Sequence, residues 1–328
     1  MKIVQITDTH LRAEETTVHW GYRAQATYRT FLEAVAKDHA DVDMVIITGD
    51  CVACYPVEED PAFSPEGEPA YRLLRSMTEE QLPGVPLRAL PGNHDSREHL
   101  SRVFPESAGG GALAAPPGTH CFAETLGGWL LVGLDSQCGD PLDPNGEGDL
   151  GDAQLDWLRR TLAAHPAVPA VLFLHHPPTH NTPTSFTEAG AEALEAVVEA
   201  HASQIRAVVA GHIHADFTTD MLGGVPLLAT PSGIAQSRID EHTGLLLGGP
   251  VDVEHGPGFR VLELAEQGSV ETHVERPAMQ PGWAVFEELR LGPRMASRPG
   301  AGPDLLIVRS CRRERGADLR YRMAVPRL

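Results

Sequence analysis

Short apolar runs alternate along this chain with longer stretches in which apolar residues return every three or four positions. Ile3–Ile6, Met44–Thr48, Pro86–Leu90, Trp129–Leu134, Val171–Leu174, Ala207–Ala210 and Pro226–Leu228 are rich in β-branched residues and bounded by turn formers. Runs of that length and flanking predict buried strands. Between them, Ala24–His39, Glu68–Leu82, Asp152–His165 and Thr187–His201 have helical spacing; Leu155, Leu158 and Leu162 make the clearest stripe, with Asp152 as the expected N-cap. Strand–helix alternation of this kind predicts an α/β fold with a largely parallel or mixed sheet. After Pro231 the period changes. Gly258–Leu264 and Ser269–Glu275, split by Ala265-Glu266-Gln267-Gly268, predict a β-hairpin that closes the domain. Gly109-Gly110-Gly111 with Pro116-Pro117, and Cys138–Gly151, read as surface loops, and Leu291–Pro303 reads as a linker.

Composition narrows the class. The 328 residues are 42% hydrophobic and 22% charged, which suits a soluble globular enzyme. A net charge of -19 argues against a protein that holds nucleic acid or an anionic membrane, since phosphate backbones need basic surfaces. It leaves room for a small phosphorylated substrate if a metal reverses the local field. The charge is unevenly spread: residues 277–328 hold ten Arg and five acids. This divides the chain into a main domain over 1–276 and an Arg-rich extension over 277–328. Five irregularly spaced cysteines make a poor disulfide framework and fit a reducing compartment. Met1-Lys2 leads straight into the first strand without a greasy signal core, and no run approaches the roughly 20 apolar residues of a membrane span. A cytoplasmic protein with no integral membrane segment is expected. The 16 histidines outnumber Phe, Tyr or Trp, which prompts a search for metal ligands.

That search succeeds at the strand ends. Successive strands close in Thr7-Asp8-Thr9-His10, Gly49-Asp50, Gly92-Asn93-His94-Asp95, His175-His176-Pro177-Pro178 and Gly211-His212-Ile213-His214. A lone Asp at a strand end is usually a turn former, and a lone His beside a strand is usually structural. Five such groups in series, all on the edge where open α/β sheets bind ligands, are not explained by turns. Carboxylates, an amide oxygen and neutral imidazoles suit Mn²⁺, Fe, Zn²⁺ or Co²⁺. Cysteine is absent from all five groups, which disfavours a structural zinc site. Two ions about 3.5–4 Å apart would clamp the attacking and leaving oxygens of an in-line phosphoryl displacement and acidify a bridging water.

Asp8-x-His10, Gly49-Asp50, Gly92-Asn93-His94-Asp95, His175 and Gly211-His212-x-His214 together resemble the signature of the calcineurin-like metallophosphoesterase superfamily, over roughly residues 1–276. The resemblance implies a four-layer α/β/β/α sandwich of two mixed sheets carrying a binuclear metal centre. By position, Asp8, His10, Asp50 and His214 would hold one ion, and Asp50, Asn93, His175 and His212 the other, with Asp50 bridging. His94 would bind the scissile phosphate with Asn93 and protonate the leaving alkoxide, a role for which imidazole titrates in the right range. Asp95 would stand behind the ligands, and His176 would line the pocket rather than ligate. A homodimer is a further implication.

Within the superfamily the departures steer the reading. The Asp-Arg pair of calcineurin-type protein phosphatases is missing after Gly49-Asp50, and Ala53 stands where purple acid phosphatases carry an iron-binding Tyr. The likeness is nearest to class III cyclic-nucleotide phosphodiesterases and the related glycerophosphodiesterases, through Leu-Pro-Gly-Asn-His-Asp, Leu-His-His-Pro-Pro, Gln154-x-x-Trp157-Leu158, Ala229-Thr230-Pro231-Ser232 and Pro257-Gly258-Phe259-Arg260. It implies hydrolysis of a small diester, foremost a 3′,5′-cyclic nucleotide, by a metal-bridging hydroxide with His94 as general acid. The rivals are a glycerophosphodiesterase or phosphomonoesterase with the same centre, then a nuclease or a non-catalytic regulator. Cys51-x-x-Cys54 lacks the context of a redox or zinc motif. His19, His39, His99, His165, His201 and His273 lie off the motif edges and are expected to be solvated.

Overall fold

A computed structural model of the chain describes residues 1–15, 18–19, 22–53, 67–137, 146–178, 186–239, 246–252, 256–278, 308–311 and 320–323. The first half runs β1 (Lys2–Ile6), a two-residue pair β2 and β3 (Val18–His19, Tyr22–Arg23), α1 (Ala24–Asp38), β4 (Met44–Thr48), α2 (Gly67–Gln81), β5 (Leu87–Leu90) and α3 (Arg97–Val103). It continues through β6 (Phe122–Leu126), β7 (Trp129–Gly133), α4 (Gly151–Ala164), β8 (Ala170–Phe173), α5 (Glu188–Ala200), β9 (Ile205–Ala210), β10 (Phe217–Asp220) and β11 (Pro226–Ala229). The pairs β12 (Gln236–Ile239) with β13 (Leu246–Asp252), β14 (Phe259–Leu264) with β15 (Val270–Glu275), and β16 (Val308–Cys311) with β17 (Arg320–Met323) follow.

Two sheets result, ordered β15-β14-β1-β4-β5 and β10-β11-β9-β8-β7-β6. In the first, β1, β4 and β5 are parallel, with β14 and β15 added antiparallel on one side. In the second, β7, β8, β9 and β11 are parallel, and the edge strands β6 and β10 antiparallel. The continuous apolar runs make sense here, because the central strands are covered on both faces. Successive side chains of a strand go to opposite faces. On β4, Val45 and Ile47 join the core under α1 and α2, while Met44 and Ile46 enter the core between the sheets. On β8, Leu172 packs under α4 and α5, while Val171 and Phe173 meet the other sheet. The layers are therefore helix, sheet, sheet, helix: the expected four-layer sandwich.

The predicted strands and helices coincide with observed ones to within one or two residues at most ends, and the closing hairpin pairs in register from Phe259↔Glu275 to Leu264↔Val270. One difference is informative. Asp152 lies in the first turn of α4 rather than at its N-cap, which is Leu150. Asp149 serves the turn instead, accepting from the Gly151 N–H. The proposed linker Leu291–Pro303, and residues 138–145 of the loop Cys138–Gly151, lie outside the described residues. Among the described residues no helix is long and apolar enough to cross a membrane.

Candidate metal centre

Parallel pairing brings the carboxyl ends of β1, β4 and β5 to one edge, and those of β8, β9 and β11 to an edge facing it. The loops after β1 and β4 continue the ladder: the Asp8, His10 and Leu11 N–H groups donate to Gly49, Asp50 and Cys51 carbonyls at 3.0, 2.9 and 3.1 Å. The loops of the two sheets are then tied to one another. The His212 N–H donates to Asp8 Oδ2 at 3.0 Å, the Gly233 N–H to Thr7 O at 2.7 Å, and Ser232 Oγ to Asp8 O at 3.0 Å.

Asp8, His10, Asp50 and His214 offer ligand atoms that all lie within 4.8 Å of one another. These are the four residues expected to share one ion. His175 and His212 form a second group, and both address Asn93 Oδ1 at 3.0 Å. Asp50 faces both groups. Its Oδ2 lies 3.6 Å from His10 Nε2, and its Oδ1 3.5 Å from His175 Nε2. His94 stands at their side, its ring edge-on to His10 with centroids 4.8 Å apart and its Nε2 3.7 Å from Asp50 Oδ2. All nine predicted residues are thus brought to one locality, and all but the half-buried His212 are buried.

His176 also belongs to this locality. Its ring lies 4.7 Å from that of His175 and 4.6 Å from that of His212. Nδ1 meets Ser136 Oγ at 2.9 Å, and Nε2 is buried without a hydrogen-bond partner among the described residues. Its donor falls in one group with those of His175 and His212, so geometry does not set it aside as readily as position in the sequence did.

Electrostatics show what the donors lack. Burial raises the Asp50 carboxyl well above the ordinary range, and repulsion from Asp8 and Asp95 adds to the shift. Burial would raise Asp8 too, but electrostatic attraction to the His214 and His175 imidazoles and hydrogen bonds from His214 and Thr7 hold it well below that range. No Lys or Arg pairs with either carboxylate among the described residues. Burial pushes His175 and His176 down, toward the neutral form that can ligate a metal. The Nδ1 of His175 lies 2.8 Å from Thr48 O, a pure acceptor, so Nδ1 carries the proton and Nε2 presents a lone pair. That lone pair faces Asn93 Oδ1 at 3.0 Å. Two acceptors at that separation, beside carboxylates that no Lys or Arg partners among the described residues, fit a cation held between them.

The backbone is shaped to the same end. Asp8, His10, Asp50, His212 and His214 are the non-glycine residues with positive φ among the described residues, at 53°, 42°, 47°, 71° and 52°. Left-handed conformations of this kind are costly and concentrate at functional sites. The motif glycines answer to close approach: a Cβ on Gly211 would overlap Thr7 Oγ1, and one on Gly92 would overlap Asp50 Oδ1 and N.

Of the supporting residues, Asp95 is expected behind the ligands, whereas Tyr71, Arg97, Asp135 and Gln137 are not singled out by the sequence. Asp95 accepts from the N–H groups of Gly92 (2.9 Å), Cys51 (3.1 Å) and Val52 (3.3 Å) and from the Tyr71 hydroxyl (2.8 Å), which locks the β4 and β5 loops together. Burial nevertheless pushes its carboxyl up to about 6, against those four hydrogen bonds. The Gln137 amide donates to Gly92 O and Asp95 O, each at 2.8 Å, and so fixes the loop that carries His94. Arg97 holds the Gln137 carbonyl and pairs with Asp135 at 2.6 Å. Only a three-residue run of polar positions after β7 hinted at Asp135–Gln137. Among the histidines expected to be solvated, His39 is buried, and His99, His165 and His201 are partly so.

The family model for calcineurin-like phosphoesterases matches residues 1–216. Similar proteins include the 3′,5′-cyclic adenosine monophosphate phosphodiesterase CpdA of Escherichia coli (strain K12), 29% identical over 284 residues, spanning 85% of this chain and 90% of that protein. A 3′,5′-cyclic-nucleotide phosphodiesterase of Nostoc sp. (strain PCC 7120) is 26% identical over 280 residues, covering 84% and 92%. In fold, the chain is similar to a dimetal phosphatase from Danio rerio, with a TM-score of 0.58 at 15% identity over 83% of this chain and 98% of that one. With the motif loops, the sandwich and the sequence match in agreement, the chain belongs to the calcineurin-like phosphoesterase family.

Proposed function

We propose that this protein is a binuclear metal-dependent phosphodiesterase that hydrolyses a small diester, foremost a 3′,5′-cyclic nucleotide. The observation that carries the reading is Asp50, which turns one carboxylate oxygen toward each of two donor groups. Asp8, His10, Asp50 and His214 would hold one ion and Asp50, Asn93, His175 and His212 the other. Two bound divalent ions supply positive charge for the phosphate and acidify a water near neutral pH.

The chain's own residues do the rest. His94, outside both donor groups and beside Asp50, is placed to contact a phosphate oxygen with Asn93 and to hand a proton to the departing alkoxide. Its backbone N–H donates to Asp50 Oδ1 at 2.9 Å, so the proton donor and the shared carboxylate are positioned as a unit. Asp95 and Gln137 keep that loop from rotating. The cyclic-nucleotide preference is supported by the relatives whose names state that activity. The overall charge of -19 favours a small anion over a polyanion.

The test compares hydrolysis of cyclic AMP, glycerophosphocholine and a phosphomonoester by protein loaded in turn with Mn²⁺, Fe²⁺, Zn²⁺ or Co²⁺. Cyclic AMP should be turned over with the highest kcat/KM. A preference for the monoester under every metal would overturn the diesterase reading. Retention of fewer than about one ion per chain, in protein never exposed to chelator, would overturn the binuclear centre.

A further inference from the structure

The 16 histidines are only partly used by the metal centre, and two of the rest meet elsewhere. In the β14–β15 hairpin, Glu275 lies opposite Phe259 and His273 opposite Val261. Phe259 and Val261 belong to the core beneath α1 and α2, so His273 and Glu275, two residues apart on the edge strand, share that helix-facing side. His39, the C-cap of α1, reaches the same side and rests edge-on against the Phe259 ring, with centroids 6.2 Å apart. There His39 Nε2 lies 2.9 Å and His273 Nε2 3.0 Å from one oxygen, Glu275 Oε1. The three donor atoms all fall within 4.8 Å of each other.

We propose that His39, His273 and Glu275 form a second metal site, apart from the binuclear centre, for a single zinc-class divalent ion. Two imidazoles and one carboxylate suit such an ion, with water in the remaining position of a tetrahedron. Bonds of about 2.0–2.1 Å set tetrahedral ligands roughly 3.3 Å apart, so each observed N···O separation needs to open by only about 0.4 Å. The partners differ in freedom as such a site requires. His39 is buried and fixed by its ring contact, whereas the His273 side chain is 51% exposed and can give way. A bound ion would fasten the edge strand β15, whose sole sheet neighbour among the described residues is β14, to the end of α1. None of the three residues belongs to the binuclear donor groups, so the site does not depend on the reading of those groups.

The experiment uses the full chain with its centre loaded, as wild type, His273→Ala and Glu275→Gln. Each is equilibrated with Zn²⁺, desalted and analysed for metal, and Tm is followed against added Zn²⁺. Wild type should retain about one zinc per chain more than either variant. Zinc should raise the Tm of wild type and leave that of the variants unmoved, with hydrolysis of a chromogenic phosphodiester equal in all three. Equal zinc content and equal zinc-dependent Tm shifts in the three proteins would overturn the proposal. So would loss of turnover in the variants, because the two sites would then not be separate. Failure of the binuclear reading would instead lower metal content equally in all three.

Discussion

His120 offers a sharp test of how this fold handles an ionisable group that takes no part in metal binding. The ring is fully buried; Nε2 donates to Ala89 O at 3.1 Å, which leaves Nδ1 to accept from Ser101 Oγ at 2.9 Å. Burial pushes its pKa down from 6.5 to about 4, with the Arg97 charge acting the same way and the Ala89 hydrogen bond opposing. The folded ring is therefore neutral where the unfolded one is not. Its contribution to stability is fully present above pH 6.5 and is lost as pH falls toward 4. At pH 5 the unfolded imidazole is about 97% protonated and the folded one about 9%, which makes the loss about 2 kcal/mol relative to pH 7.5. His120→Gln removes the titration. Urea unfolding of both proteins, metals stripped, would be followed by fluorescence of the buried Trp129 and Trp157 at pH 7.5 and 5.0. The variant should be the less stable at pH 7.5, by about 1–3 kcal/mol for its imperfect hydrogen bonds. Between the two pH values it should lose about 2 kcal/mol less than wild type. Equal losses would show that the folded ring takes up a proton freely, and the account of its burial would be wrong.

Other consequences concern the metal centre. His94→Ala should cut turnover of a chromogenic diester by about 10²–10⁴-fold, with metal content unchanged by elemental analysis; unchanged turnover would remove it from proton transfer. Gly211→Ala drives a methyl into Thr7 Oγ1 and should cost about 1–3 kcal/mol in denaturant unfolding, with loss of bound metal. Gln137→Ala leaves the buried Asp95 carbonyl unserved and takes one of two donors from Gly92 O, costing about 1–3 kcal/mol, and should lower kcat more than it raises KM because the His94 loop is freed. Chelation should lower Tm by removing the counter-charge from Asp8 and Asp50, and divalent ion at about 100 times Kd should restore about 2.7 kcal/mol.

What could be read from the sequence divides along physical lines. Central strands such as β4 and β8 are covered on both faces, and their unbroken apolar runs announce them. Edge strands are not so marked: β6 reads Phe-Ala-Glu-Thr-Leu and β10 Phe-Thr-Thr-Asp, each with exposed positions. Seven-residue α3 is too short to develop a stripe. At the site, the donors stand out because each ends a strand in a recognisable run. Tyr71, Gln137 and the Arg97–Asp135 pair act through contacts 24 to 45 residues away, which no local pattern encodes. The burial of His39 is hidden for a related reason, since a helix C-cap looks solvent-facing until the β14–β15 hairpin is laid beside it.

The left-handed backbone at the donors has a consequence for how such a centre can vary. Asp8 and His10, and likewise His212 and His214, share one rhythm: positive φ, an ordinary residue, positive φ. Each loop thereby presents two donors from three residues, a density that a helix, whose same-face neighbours are three or four residues apart, does not allow. Asp, Asn and His are the side chains that tolerate this conformation best after glycine, and β-branched residues are refused. The alphabet open to these positions is thus limited twice, once by what binds a cation and once by what the backbone can hold. Asn satisfies the second demand while weakening the first. Exchanging Asp8 or Asp50 for Asn would separate the two, whereas Val or Ile there would abolish the loop together with the donor.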